Sequence, residues 1–392
     1  MRFLVMIVVA IAAIWIVIAA SAHLSAREAL SKPWPAGLGS VHNVPRRYPF
    51  QPTTPAARRL AELAGAAGVQ LGMRGEEVVT VPMTRELDQQ FIEYVYAQLQ
   101  KPDDSVDAPP HEIAKTLSEK QQALADVARF IDESGSSINW RDEINAQERP
   151  YPALAGILRL GRLLAANALI KHDASSWDDV HAIVLLARPL WRREESYSTS
   201  AALSNARLAN GVARKLPPPV PAWWHEVGEI DARHAVLATF QGDSWTWWTW
   251  AARWRRADAA RTILFMPLFD ASLAGLLNRQ RLAAEDFAPS HACALDADAW
   301  NDRRKLPGWN VIFGRSPIMN DAGGMEFQRA AVFDFERSAT ERVMAIKEHR
   351  PLPATSRCSD GTWSYANGTL QFSRPVPLAP PGHAAIPATL RY

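Results

Sequence analysis

The chain has 392 residues, 48% hydrophobic and 21% charged, which is enough for a large core or for two domains. Its 43 Lys and Arg against 41 Asp and Glu leave a net charge of +2, which argues against nucleic acid or another strongly anionic partner. The basic residues are mostly Arg and Ala is abundant, a composition typical of a GC-rich bacterial genome.

Residues 3–20 carry no charge and are nearly all Ile, Val, Ala, Leu, Met and Trp. A helix of about 20 such residues spans roughly 30 Å of hydrocarbon. Only Arg2 and the amino terminus precede the run, so positive charge keeps that end in the cytoplasm and sends the rest across. Residues 1–22 therefore read as a signal-anchor. The rival is a cleaved signal peptide, because Ala20-Ser21-Ala22 has the small-x-small form of a cleavage site. The apolar run is longer than the roughly 7–15 residues of a signal core, which favours a retained anchor. The expected location is the bacterial inner membrane, single-pass, with the body in the periplasm.

Residues 23–55 hold six prolines between Pro33 and Pro55 and read as an extended linker or wrapping arm. Residues 56–350 read as a helical body. Thr54 is placed to cap a helix with Pro55 at its first position, and Thr84 to open another. A third helix is predicted from Pro110 to about Glu133. The stretch 150–172 is apolar around most of its circumference and should be a central, buried helix. Ser176 and Asp179 start the next, which Pro189 should kink, and another stops at Pro217-Pro218-Pro219. Further helices are expected over 222–240, 244–264, 270–287 and 326–350. No fixed period recurs, so a repeat solenoid is not expected.

Residues 351–392 change character. Two alternating segments, 363–366 and 369–372, flank Asn367-Gly368, the dipeptide of a type I′ turn, and predict a β-hairpin. Two strands alone are marginal in water, so the hairpin must pack on helices. The fold class is thus mainly α: an N-terminal transmembrane helix, then a non-repeating helical bundle with a small C-terminal β-hairpin. The two cysteines, Cys293 and Cys358, are expected to form a disulfide in an oxidising compartment and pin that hairpin to the body.

Local motifs for dinucleotide, P-loop or serine-elbow chemistry do not occur, and neither a cofactor nor a metal is expected. His225-Glu226 opens like a zincin helix, but Glu229 stands where the second His belongs. Asp178, Asp179 and His181 offer ligating groups, but the cluster reads as a helix N-terminus that favours negative charge. The Trp-rich stretch 244–261 offers Trp247, Trp250 and Trp254 on one helical face and Arg253 and Arg256 on another. It fits a core helix, a helix at a membrane surface, or an aromatic platform for a glycan or other ring-bearing ligand.

Glu195-Ser196 resembles the catalytic dipeptide of lytic transglycosylases, and Ala201 and Ser204 extend the likeness over about ten residues. The Asn-Pro and Gly-Ala-x-Gly-Leu-x-Gln that follow in that family do not occur here. The resemblance implies an envelope enzyme acting on cell-wall glycan, with Glu195 as its acid. Glu194 beside Arg192 and Arg193 suggests a solvated face instead of the apolar pocket that such an acid needs. The principal expectation is non-catalytic: a membrane-tethered extracytoplasmic protein that scaffolds or contacts an envelope protein or glycan, with residues 3–22 in the membrane.

Overall fold

The computed structural model describes residues 2–73, 83–144, 149–257, 259–304, 323–376 and 389–392, without the side chains of 254–264. The fold is mainly α, and the chain divides into two compact units.

The first unit comprises residues 1–49, 237–289 and 296–325. Helix α1 runs over Arg2–Ser31, and its first part is long and apolar enough to span a membrane. The helix continues well past the expected boundary at residue 22. Ala22, Ala26, Ala29 and Leu30 form a buried stripe of mostly small side chains, so tertiary packing carries the helix onward. The stretch expected as a linker is therefore helix up to Ser31. Beyond it Trp34 is bridged to Gly39, and a short helix covers Val44–Arg47.

The other long helices of this unit are α8 and α9. Helix α8 spans Ala232–Ala257 and α9 spans Ala259–Phe287. Breaks were expected near 241–243 and 265–269, but both helices run through. Ser244 Oγ donates to the Phe240 carbonyl within its own helix and lies 3.0 Å from Gln280 Oε1, so its polar group is satisfied without unwinding. Pro267 stands inside α9, where a helix continues at the loss of one hydrogen bond. The ring of Trp250 lies 5.3 Å from that of Phe269. With the Ser244–Gln280 contact, this shows α8 and α9 as an antiparallel hairpin.

The second unit comprises residues 50–236, 290–295 and 326–392. Its helices are α2 (Pro55–Ala66), α3 (Arg85–Leu99), α4 (His111–Ser134), α5 (Leu154–Lys171), α6 (Ser176–Trp191) and α7 (Ser196–Lys215), with α10 (Gly324–Lys347) following later. Thr54 and Thr84 cap α2 and α3, each hydroxyl accepting a backbone N–H three residues on. One apolar core joins α2 to α7, with α5 buried around most of its surface. Gly156 sits at a tight backbone approach beside it. A Cβ there would stand 1.9 Å from the Gln70 carbonyl oxygen, so only glycine admits that backbone.

Strands β1 (Trp363–Ala366), β2 (Thr369–Phe372) and β3 (Thr389–Arg391) form an antiparallel sheet in that order. Asn367 and Gly368 have φ of 51° and 71°, as a type I′ turn requires. Leu370, Phe372 and Leu390 turn one face onto Phe335, Ala339 and Val343 of α10.

Candidate functional site

Glu195 is the N-cap of α7. Its two carboxylate oxygens accept the backbone N–H groups of Tyr197 and Ser198, each at 2.9 Å. A Glu directly ahead of a helical stretch was the signal for this role. The solvated face expected here does not exist: Arg193, Glu194 and Glu195 are 2%, 2% and 3% exposed, and of the group only Arg192 meets water. The reason is a buried charge cluster formed from residues distant in sequence. Arg149 holds the Asp142 carboxylate by two bonds of 2.9 and 2.8 Å, and Arg193 reaches the Arg141 carbonyl at 2.8 Å. Burial works against ionised Asp142, yet the Arg149 and Arg193 guanidiniums hold its carboxyl below the ordinary range.

The acidic cluster at the start of α6 separates in space. Asp179 is buried and accepts from Asn167 at 2.8 Å and Lys171 at 3.0 Å. His181 pairs with Asp132 and stacks on Trp223 at 4.2 Å between ring centres. His225 bonds the Ala222 carbonyl and Glu226 pairs with Arg188 at 2.7 Å. Among the described residues no group of His, Cys, Asp and Glu could hold a metal ion.

A cavity of about 490 Å³ in the second unit is lined by Arg233, Arg337, Arg357, Asp231, Asp334 and His291, among others. The three guanidiniums already serve as braces. Arg233 donates to Asp334 at 2.6 Å and to the Ala292 carbonyl at 2.8 Å. Arg337 donates to the Ile230 carbonyl, and Arg357 to Glu341 at 3.1 Å and the Gly228 carbonyl at 3.2 Å. Burial raises the Asp334 carboxyl even with Arg233 beside it. The same region is tied by a disulfide between Cys293 and Cys358, whose Cα atoms lie 5.2 Å apart. The Asp360 carboxylate accepts the backbone N–H groups of Cys293 and Ala294 at 2.9 and 2.8 Å. These contacts pin the segment 290–295 and the C-terminal segment together.

The Trp-rich stretch belongs to the first unit, on the tip-ward half of α8. Trp245, Trp247, Trp248 and Trp250 are all half-buried. Trp248 stacks on His23 of α1, Trp245 meets His42 edge-on, and Trp247 meets Trp250 edge-on. Arg253 is half-buried on the same helix, and the side chains of Trp254 and Arg256 lie outside the described residues. Sequence reading missed two polar partners at this site: His23 Nδ1 and Asp270 Oδ2 are 3.2 Å apart. It also missed Phe265 and Leu268 on α9, which are 57% and 43% exposed. Their signals were a His just past the apolar run and the apolar stretch 263–277 with one Asp in it.

No known protein family, curated protein or solved structure matches this chain.

Proposed function

We propose that this chain is a single-pass protein of the bacterial inner membrane whose body lies in the periplasm and acts as a scaffold or interaction protein of the envelope. One observation carries the tether. On α1 the side chains of Phe3, Val8, Ile11, Ile14 and Ile18 are exposed, while Ala22, Ala26, Ala29 and Leu30 on the same helix are buried in the first unit. Exposed apolar surface of that extent is what lipid would cover. Cleavage after Ala22 would cut inside the helix, next to the stripe that docks it, which favours a retained anchor. A disulfide between the only two cysteines suits an oxidising compartment.

The non-catalytic reading is supported by Glu195. A glycosidase acid must hold a proton and face its substrate. Here both oxygens are engaged with a helix end, away from solvent. The expected outcome is a protein that keeps residues 1–22 and remains with membranes after carbonate washing. Photo-crosslinkers placed on the exposed surface in the native envelope should attach to a defined envelope component. A mature chain starting at His23 in a soluble fraction overturns the tether. Cell-wall glycan cleavage that is lost in Glu195→Gln overturns the scaffold.

A further inference from the structure

The three-stranded sheet of the second unit has two edges, and the chain treats them differently. On β3 the Arg391 N–H donates to the Pro102 carbonyl at 2.7 Å, so that edge is closed by the protein itself. On β1 the hydrogen-bond phase follows from its pairing. Ser373 N–H donates to the Thr362 carbonyl, and Ala366 faces Thr369 across the two-residue turn. Alternation along an antiparallel pair then turns the backbone groups of Thr362, Ser364 and Ala366 toward β2. It turns the N–H and C=O groups of Trp363 and Tyr365 outward. Among the described residues no backbone group pairs with those two. Ser364, Tyr365 and Ala366 are exposed, so the edge is open to solvent.

Open edges are commonly blunted by charge, proline or a bulge, because their free backbone groups are a template for another strand. Trp363-Ser364-Tyr365-Ala366 has none of these and is protected only by its shortness. The strand is also held rigid. Trp363 stacks on Phe335 of α10 at 5.2 Å with Arg342 over its ring, and the Tyr365 hydroxyl donates to the backbone oxygen of Tyr392 at 3.1 Å. A rigid edge loses little entropy on pairing. We infer that β1 pairs with β1 of a second copy of this chain, antiparallel and centred on Ser364, joining two three-stranded sheets into one. The register that uses both outward residues sets Trp363 opposite the partner's Tyr365, Ser364 opposite the partner's Ser364 and Ala366 opposite the partner's Thr362. It forms about four backbone bonds. The Trp and Tyr rings share the face turned to α10 and make aromatic cross-strand pairs. No like charges meet, because residues 362–366 carry none. A two-fold contact must match a patch to itself, and this edge does, which selects a second copy as its occupant. The contact is small and of the weak class, so its occupancy depends on how concentrated the copies are. It does not depend on the membrane tether.

The test uses the full chain, purified in detergent with its native disulfide intact. At Ser364 the two-fold sets Cα atoms about 4.5 Å apart in a non-hydrogen-bonded pair, a spacing that a disulfide spans. Ser364→Cys should therefore form a reducible dimer under mild oxidation. Ala366→Cys, also exposed, should link with itself at least about tenfold less, because four residues of strand put its two copies about 14 Å apart. Mixing Ala366→Cys chains with Thr362→Cys chains should restore the link. Adding Ser364→Lys to both should abolish it, by setting two ammonium groups face to face. All these positions are exposed, and unfolding curves that match the parent's show each variant folded. If Ser364→Cys links no faster than Ala366→Cys, or if the mixed pair stays unlinked, the inference is overturned. A link in the mixed pair that survives Ser364→Lys also overturns it, as chance collision.

Discussion

In the second unit, charged side chains turn inward. Arg207 grips Glu336 by two bonds of 2.8 Å, Arg149 grips Asp142, and Arg233 joins Asp334 to the chain around 290–292. In the first unit, apolar side chains turn outward, from Phe3 through Ile18 on α1 to Phe265 and Leu268 on α9. The second unit buries several matched ion pairs, Arg207–Glu336 and Arg149–Asp142 among them. The first exposes apolar side chains on α1 and α9 of a kind that lipid or a partner would cover, and its polar contacts include His23–Asp270 and Gln241–Gly39. Stability should therefore respond to single changes in one unit and hardly at all on the outward faces of the other.

The sharpest break of that contrast is Arg207→Leu. It leaves the Glu336 carboxylate buried and unpaired, which should cost about 3–5 kcal/mol in denaturant unfolding, with much of the loss recovered in Arg207→Leu/Glu336→Leu. Replacing both Cys293 and Cys358 with Ser should cost about 4 kcal/mol, the loop-entropy value for a ring of this size, read by the same unfolding curves. A third test is pH. Burial pushes the Asp179 carboxyl from 3.8 up to about 6, against the pull of Lys171. Between those values the folded chain holds a proton that the unfolded chain has released. Its contribution is most favourable below about pH 4, falls as pH rises through 6 and is constant above, a total change of about 3 kcal/mol. Asp179→Asn should flatten that slope relative to the parent chain. The smallest effect belongs to the first unit: Phe265→Ser in detergent should shift unfolding by less than about 0.5 kcal/mol. A loss as large as those in the second unit would erase the contrast.

What could be read from the sequence was what local chemistry decides. Thr54 with Pro55, Thr84, and Asn367-Gly368 each fix a turn or a helix start within four residues, and each is where it was expected. The long apolar runs of α1 and α5 were equally legible from composition. Tertiary pairing was not. Strand β3 pairs with β2 from about twenty residues away, and no alternation in three residues announces it. The burial of Arg193 and Glu194 depends on Asp142 and Arg149, and the passage of α8 through 241–244 depends on Gln280. At the Trp-rich site of the first unit the Trp and Arg residues were conspicuous, while His23, Asp270, Phe265 and Leu268 acquire meaning only once the hairpin and α1 are seen side by side.

The bond between Cys293 and Cys358 closes a covalent ring that contains the whole of α10, whose Phe335 stacks under Trp363 of β1. A protease that cuts anywhere inside that ring severs the backbone and yet releases nothing. The sheet remains attached through sulfur, and the clipped chain migrates as one piece until it is reduced.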